Sequence, residues 1–251
     1  MKTIEEARRL LQSEEFMHIA AVLGGGEDLA EAYRNRLLCA IDSFVQLYGS
    51  GREIAIFSAP GRTELGGNHT DHQHGHVLAA SINLDVIAVV ARREDTTIRV
   101  HSEGFPEDEI SLEELEPVTD KKPTAAELIR GIAARFKQYG CPLETGFDAY
   151  TTSQVMAGSG LSSSAAFEVL LGNICNALYA ENRFTPVELA QMGQYAENVY
   201  FGKPCGLMDQ AASSVGGFVQ IDFQDKDHPE AQKVDFDFTK CGYALCIIDT
   251  K

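Results

Sequence analysis

Residues 157–178 read AGSGLSSSAAFEVLLGNICNAL, in which a turn rich in glycine and serine leads directly into an apolar segment of helical periodicity. Glycines allow backbone N–H groups to approach an anion, and the first N–H groups of a helix favour negative charge. The serine hydroxyls add hydrogen-bond donors and hard oxygen ligands. This segment therefore predicts a phosphate-binding turn at the N-terminus of a helix.

Two other interpretations of this segment have to be weighed. It is not a Walker A loop, because no Gly-Lys-Ser/Thr follows and the usual phosphate-loop lysine is absent. On local features alone, a serine-capped helix after a flexible turn also fits the pattern. The remaining segments must therefore decide between a binding turn and a simple cap.

On both sides of this segment, apolar patterns predict a mixture of strands and helices. Runs bounded by glycine, proline or charged turns predict strands at 53–62, 76–94, 96–104, 147–156, 215–223 and 243–249. Apolar residues at helical spacing predict helices at 4–18, 27–48, 125–140 and 186–200, and residues 103–120 are acidic and loop-like. Because the order of strands and helices is mixed, we expect an α+β fold.

The composition limits the class of protein. The 251 residues include 21 Lys+Arg and 37 Asp+Glu, which gives a formal charge of −16 and argues against a nucleic-acid groove. No apolar stretch is long enough to cross a membrane, and the first 16 residues are charged throughout. Six scattered cysteines without a C-x-x-C pair fit reduced thiols, with neither disulfides nor structural zinc. We therefore expect a cytoplasmic protein that binds small molecules and neither nucleic acid nor a membrane.

A second candidate site is APGRTELGGNHTDHQHGH at 59–76, which holds one arginine, two acidic residues and four histidines between predicted strands. Short polar side chains on a loop held by rigid neighbours are suited to recognising a sugar or another polyol. Metal binding by the histidines and a merely solvated turn are the alternatives, although no cysteine lies nearby.

A third candidate site is KPCGLMDQAASSVGG at 203–217, where Asp209 stands in a sparsely charged stretch of small and apolar residues. Such a carboxylate is either a helix N-cap or a functional group. Glu197, on the preceding predicted helix, can face the same space, although most helical glutamates are exposed.

Taken together and in this order, the three segments resemble the galactokinase branch of the GHMP small-molecule kinases. PGRTELGGNHTDHQHG is similar to the sugar-binding signature of that branch, GSGLSSSAA to its phosphate loop, and CGLMDQ to its catalytic Gly-x-Met-Asp-Gln. The resemblance covers residues 50–251. It implies an N-terminal GHMP domain like domain 2 of ribosomal protein S5, at 51–251, with a mixed sheet and helices on one side. Residues 1–50 would form a helical extension.

The activity that the resemblance implies is ATP- and Mg²⁺-dependent phosphorylation of the anomeric C1 hydroxyl of galactose, giving galactose 1-phosphate. Asp209 would accept the proton of the C1 hydroxyl. Arg62 beside it would favour the ionised carboxylate and stabilise charge on the transferred group. In an alternative view, Asp209 mainly positions charge.

The resemblance also implies the binding residues. The sugar would be held by Asn68, His69, Thr70, Asp71 and the backbone N–H of Gly206. ATP would be held by Gly158, Ser159, Gly160, Leu161, Ser162, Ser163, Ser164 and, by a looser alignment, Ser102. Ser164 and Glu197 would bind Mg²⁺.

Several positions depart from the family pattern. A glutamate that contacts the primary hydroxyl of the sugar in the family is Asn68 here, and an amide can accept a different C6 group. Tyrosine becomes His72, asparagine becomes Glu64, and the proline before the phosphate loop becomes Met156. In place of an aromatic residue that stacks on adenine, the chain has Ala125 and Leu128.

These departures leave other functions open. A kinase for galacturonate, arabinose or N-acetylgalactosamine is the near alternative, and a sugar and ATP sensor without catalysis is a more distant one. An acidic interaction domain would require three coincidental motif matches.

The apolar segment YALCIID at 243–249 is followed only by Thr250 and Lys251, so we expect a fragment that lacks the family's C-terminal domain and turns over slowly or not at all.

Overall fold

The structure is a computed structural model and describes residues 1–118, 122–225, 227–236, 238–242 and 245–246. In these ranges the strands are β1 (Lys2–Thr3), β2 (Glu53–Gly66), β3 (His76–Arg92), β4 (Thr97–Ser102), β5 (Glu107–Ser111), β6 (Phe147–Ser153), β7 (Phe218–Asp222) and β8 (Glu230–Val234). The α-helices there are α1 (Ile4–Leu11), α2 (Glu14–Gly24), α3 (Glu27–Tyr48), α4 (Ala125–Gln138), α5 (Ser163–Tyr179), α6 (Pro186–Tyr195) and α7 (Met208–Val215). Short 3-10 helices lie at Thr70–Gln73 and Phe238–Cys241, and a π-helix at Ala196–Phe201.

Strand β3 is the centre of the sheet. It pairs with β2 along one edge, and along the other edge it pairs first with β7 and then with β6. The order is β1-β2-β3-β6-β4-β5, with β8 beyond β7. Strand β4 runs parallel to β6, whereas the other pairs are antiparallel. The predicted α+β fold with a mixed sheet is therefore confirmed.

Helices cover both faces of this sheet. Ala88 and Val90 of β3 lie in a core with α4, α5 and α6, whereas Ile87 and Val89 lie in a second core with α1, α2 and α3. The helices from residue 51 onward thus lie on one face of the sheet. The N-terminal helices lie on the opposite face. The physical reason is that residues 86–91 are apolar at every position, so both faces of the strand must be shielded from water.

Two predictions for the first half of the chain need correction. The single helix predicted at 4–18 is two helices, because the hydroxyl of Ser13 accepts a hydrogen bond from the Phe16 N–H and starts α2. Three helices therefore open the chain, rather than two. The acidic stretch predicted as a loop contains β5, whose inward residue Ile110 is buried while charged neighbours face solvent, as is common at a sheet edge.

The second half contains one helix that the sequence pattern did not indicate. Helix α7 runs to Val215, so the strand predicted from residue 215 begins only at Phe218. Gly216 and Gly217 turn the chain between α7 and β7. Their φ angles of 72° and 69° lie in a backbone region that favours glycine. Of the strand predicted at 243–249, only residues 245 and 246 are described, so this element stays a prediction.

No helix in the described ranges combines the length and apolar character that crossing a membrane requires.

Candidate active site

The phosphate turn, residues 157–162, has an unusual backbone that the glycines make possible. Gly158, Gly160 and Ser162 have φ of 77°, 76° and 58°. A Cβ atom at either glycine would meet no atom within 4 Å, so the left-handed backbone and not lack of space requires glycine there. The turn leads into α5 at Ser163, as predicted.

The N-terminus of α5 is left without a side-chain cap. Ser162 occupies the N-cap position, but its hydroxyl donates to the Asp209 carboxylate and makes no capping hydrogen bond. The first turn of α5 carries no acidic residue. Its N–H groups have no acceptor within the helix, and such groups form an anion site. This arrangement favours a phosphate-binding turn over a serine-capped helix.

A shift of register in β2 brings Arg62 to the phosphate turn. The pairing of β2 with β3 is irregular between Pro60 and Arg62. Gly61 lies so close to the turn that a Cβ atom there would be 2.9 Å from the Leu161 carbonyl oxygen. The Arg62 N–H donates to the same oxygen at 3.1 Å. Irregular pairing next to a site is a common way to aim one side chain.

Arg62 and Asp209 form a two-point ion pair. Arg62 Nε lies 2.7 Å from Asp209 Oδ1, and Nη2 lies 2.7 Å from Oδ2. The remaining Nη1 donates to the Gly160 carbonyl oxygen at 2.6 Å. Arg62 is buried, whereas the Asp209 side chain is 31% exposed, so a substrate can reach the carboxylate. Asp209 is the second residue of α7 and is not its N-cap.

The loop between β2 and β3, residues 67–75, is called the sugar-signature loop here and contacts the loop before α7. Asp71 Oδ2 accepts a hydrogen bond from the Met208 N–H at 3.1 Å, and the Asp71 side chain is nearly buried. A Cβ atom on Gly206 would lie 1.8 Å from the same oxygen. Gly206 is therefore needed for the close approach of Asp71, and the two predicted sugar-binding positions are neighbours in space.

The first part of that loop is held by Glu64. Asn68 and His69 have φ of 60° and 52°, and the His69 N–H donates to Glu64 Oε1 at 2.9 Å. His69 Nε2 lies 3.3 Å from Glu64 Oε2. Asn68 is exposed, and the Thr70 carbonyl oxygen accepts from the Gly75 N–H at 2.9 Å. Glu64 thus fixes the loop that presents Asn68 and His69.

The two predicted metal ligands are also brought together. Ser164 Oγ donates to Glu197 Oε1 at 3.2 Å, close to the separation of about 3 Å between adjacent oxygens around octahedral Mg²⁺. Glu197 lies in the π-helix Ala196–Phe201, and π-helical turns are frequent at functional sites. Its side chain is 4% exposed, unlike most helical glutamates. Lys203 Nζ lies 2.9 Å from the same Glu197 oxygen, and this hydrogen bond raises the pKa of Lys203.

Further metal ligands are not gathered in the ranges that the structure describes, where no three His, Cys, Asp or Glu side chains form a candidate group. The histidines of the sugar-signature loop therefore gain no support as a metal site. Two hard oxygens beside an anion-binding turn are instead suited to an ion that takes its other ligands from phosphate and water, as Mg²⁺ does.

Two buried polar residues behind the metal ligands were missed. Gln210 Nε2 donates to Glu168 Oε2 at 2.9 Å and to Glu197 Oε2 at 3.1 Å, and both Gln210 and Glu168 are fully buried. Burial, with the nearby charge of Glu197, raises the pKa of Glu168 to about 8. Glu168 follows Ser164 by one helical turn, and Gln210 ends the CGLMDQ motif. Both residues could therefore have been identified as candidates from their positions in the sequence.

Two residues that the sequence connected with the nucleotide are held by other contacts in the fold, and a nucleotide role for Ser102 stays a prediction. Ser102, at the end of β4, accepts a hydrogen bond from the Thr151 hydroxyl at 2.9 Å, and within the described chain no hydrogen bond joins it to the phosphate turn. Leu128 is buried in the core between α4 and the sheet, so its side chain does not offer a surface for adenine in place of the aromatic residue. Its helical spacing already indicated a core position.

Comparison with known proteins agrees with this geometry. A family model of the GHMP kinases N terminal domain matches residues 127–217, and one of the galactokinase galactose-binding signature matches residues 42–92. Galactokinases of Streptomyces coelicolor and Bacillus subtilis are 37% and 32% identical over 84% and 82% of the chain. These alignments cover 54% and 53% of the relatives, so the chain spans about half their length.

Solved structures give the same result. A galactokinase of Lactococcus lactis in complex with galactose matches with a TM-score of 0.71 and 31% identity, over 79% of this chain and 52% of that one. A mevalonate kinase of Methanococcus jannaschii shares the fold, with a TM-score of 0.61 and 16% identity over 75% of this chain and 58% of that one. The fold and the family-model match over residues 127–217 define a GHMP kinase N-terminal domain. Within that class, the chain belongs to the galactokinase family.

Proposed function

We propose that this protein transfers the γ-phosphoryl group of ATP to the C1 hydroxyl of galactose. The observation that carries the proposal is the two-point pair of Arg62 and Asp209 at the phosphate turn. The pair joins Asp209, a partly exposed proton acceptor, to the Arg62 guanidinium, which also donates a hydrogen bond to the phosphate turn. The proposal concerns the whole protein, whereas the chain spans about half of its relatives.

In the proposed reaction the C1 hydroxyl oxygen attacks the γ-phosphorus and the bond to the β,γ-bridging oxygen breaks, so that ADP leaves. The hydroxyl proton passes to Asp209. Arg62 holds both carboxylate oxygens, and its positively charged guanidinium also offsets charge on the transferred group. The uncapped first turn of α5 binds the phosphates of the nucleotide.

The ion that we propose beside the nucleotide is Mg²⁺, held by Ser164 and Glu197. When bound, Mg²⁺ would offset the negative charge of the phosphate groups. The hard oxygens of the two residues, their 3.2 Å separation and the burial of Glu197 support this assignment. Lys203 shares the Glu197 oxygen and supplies a positive charge at the same position.

For the sugar, we propose that Asp71 and the Gly206 N–H bind hydroxyl groups next to Asp209, while His69, Thr70 and Asn68 line the outer loop. Asn68 is exposed and neutral, which favours a broader choice of C6 group than a carboxylate at that position would allow. A related sugar 1-kinase is therefore the second candidate function. The match to a galactokinase solved with galactose supports galactose first.

We further propose residues 51–251 as the catalytic domain and residues 1–50 as an extension whose helices share a core with its sheet. A cytoplasmic location accords with free thiols such as those of Cys39, Cys141 and Cys175 and with ATP as the phosphoryl donor.

The test measures ADP release at fixed Mg-ATP with galactose, N-acetylgalactosamine, galacturonate and arabinose. Calorimetric binding of each sugar and of a non-hydrolysable ATP analogue is measured in parallel, because binding does not require turnover. Release with galactose supports the proposal, and release with another sugar changes the substrate but keeps the mechanism. Sugar binding without release from the whole protein would indicate a sensor, and no binding of either ligand would reject the proposal.

A further inference from the structure

Gln210 is a residue of the CGLMDQ motif to which neither the reaction nor the binding sites above assign a role. It follows Asp209 directly in α7, yet the two side chains point to different parts of the molecule, because successive residues of a helix are about 100° apart. Asp209 contacts Arg62, whereas Gln210 contacts Glu168 and Glu197. Gln210 is fully buried.

The amide nitrogen of Gln210 joins two carboxyl groups from different segments. An amide nitrogen carries two N–H donors, and Gln210 Nε2 lies 2.9 Å from Glu168 Oε2 and 3.1 Å from Glu197 Oε2. Glu168 belongs to α5, whereas Glu197 belongs to the π-helix that follows α6. One side chain of α7 therefore fixes the relative position of both acids.

This bridge determines which oxygen of Glu197 is available. Because Oε2 is held by Gln210, the carboxylate cannot rotate freely, and Oε1 is directed at the Ser164 hydroxyl and Lys203. Oxygen Oε1 is the one that, with Ser164, fits a divalent cation. Groups that orient a metal ligand in this way typically change metal affinity by about 10- to 100-fold when they are replaced.

The packing around the bridge is tight and its polar groups are incompletely paired. A Cβ atom on Gly193 of α6 would lie 3.1 Å from Glu168 Cβ and 3.2 Å from Gln210 Cγ. In the part of the chain that the structure describes, Glu168 Oε1 and Gln210 Oε1 are buried without a hydrogen-bond partner. Unpaired buried polar atoms destabilise a fold, so apolar residues at these positions would be more stable. The polar residues must therefore be present for a reason other than stability.

We propose that Gln210 is a positioning residue that holds Glu197 in the orientation required for a Mg²⁺ ligand, with Glu168 holding Gln210 in turn. This inference rests on the proposed kinase function. It predicts that replacing Gln210 weakens the binding of Mg²⁺ specifically, because the binding of sugar at Asp71 and Gly206 does not involve Gln210.

The test uses Gln210→Met, which keeps the length of the side chain and removes both donors. Ser213→Ala is the matched control, because Ser213 is also buried on α7, but its hydroxyl donates to the Pro60 carbonyl oxygen, away from the two acids. Binding of a non-hydrolysable ATP analogue is titrated against Mg²⁺, together with sugar binding and urea unfolding. If Gln210→Met does not fold, Gln210→Asn, which retracts the amide by one methylene group, is measured in the same way.

We expect Gln210→Met to raise the half-saturating Mg²⁺ concentration about 10- to 100-fold, with sugar affinity within twofold of wild type. Ser213→Ala should leave the Mg²⁺ dependence unchanged. A folded Gln210→Met with wild-type Mg²⁺ dependence would overturn the positioning role, as would an equal loss of sugar and cation binding, which indicates only a structural role. Absence of Mg²⁺-dependent analogue binding by the wild type would instead reject the proposed function.

Discussion

Arg62 and Asp209 are 147 residues apart in the chain, and their side chains meet in a two-point ion pair with both N–O distances at 2.7 Å. The pair joins the irregular region of β2 to the start of α7. The third contact of Arg62, with the Gly160 carbonyl oxygen, attaches the phosphate turn to the same point. Arg62 thereby joins the carboxylate that we propose for the sugar hydroxyl to the turn that we propose for the phosphates.

We expect Asp209→Asn to lower kcat by several orders of magnitude and to change the affinity for an ATP analogue only a few-fold. The amide keeps the shape of the side chain but neither accepts the proton nor carries the charge. Arg62→Lys should lower kcat at least about 100-fold, because an ammonium replaces a two-point contact with a single one. Arg8→Lys, in the surface pair with Asp42, is the control. Near-normal kcat in Asp209→Asn would remove Asp209 from the chemistry.

Asn68→Glu tests how the sugar is selected. Because a carboxylate only accepts hydrogen bonds and repels another negative charge, it should favour a C6 hydroxyl over a C6 carboxylate. We expect the ratio of kcat/KM for galactose to that for galacturonate to rise about tenfold or more. The ratio is measured by ADP release with both sugars, and an unchanged ratio would place the selection at another residue.

Gly206→Ala should weaken sugar binding at least about tenfold and affect nucleotide binding less. The added Cβ atom would lie 1.8 Å from Asp71 Oδ2, so Asp71 must move and lose its contact with the Met208 N–H. Gly172→Ala in α5 is the control, since its Cβ atom would be 3.6 Å from Leu189, an ordinary contact. The control should be stabilised by up to about 1 kcal/mol through helix propensity. Calorimetry with galactose decides, and wild-type affinity in Gly206→Ala would contradict the assignment of this loop.

Glu168 should make stability depend on pH. Its pKa is raised to about 8 in the folded chain, above the ordinary value of 4.5, so the folded state retains a proton that the unfolded state releases between these values. The contribution of Glu168 to the free energy of unfolding therefore falls as pH rises from about 4.5 to 8, by a few kcal/mol in total. Glu168→Gln should flatten this dependence in urea unfolding, whereas Glu109→Gln on the exposed face of β5 should preserve it. An identical slope in both variants would show that Glu168 does not titrate in this range.

Asp148→Asn should destabilise the fold by about 3 kcal/mol, because three arginines converge on this fully buried carboxylate. Burial alone would raise the pKa of Asp148, but its hydrogen bonds to Arg99, Arg52 and Arg93 lower it. Asp95→Asn, at an exposed partner of Arg93, should have a much smaller effect. Urea unfolding at neutral pH compares the two, and equal small losses would mean that the arginines relax into solvent.

Local sequence was sufficient for most elements of the fold. Helix α3 was predicted with its observed bounds at 27–48, because its apolar spacing and its flanking glycines are both local features. Helix α7 was missed because eight residues are too few for a helical repeat to be recognised. Strand β5 was missed because an edge strand with one inward residue resembles a loop. These elements are stabilised by their neighbours rather than by their own pattern.

Sequence by itself determined the glycine- and serine-rich turn before α5 and the family. The left-handed glycines at 158 and 160 and the start of a helix at residue 163 depend on residues that are adjacent in the chain. The tertiary structure alone decided that Ser162 bonds Asp209 instead of capping its helix, and that Gln210 joins Glu168 to Glu197. The physical reason is that charged and polar groups are paired when distant segments are buried together, and the pairing depends on how helices and strands pack.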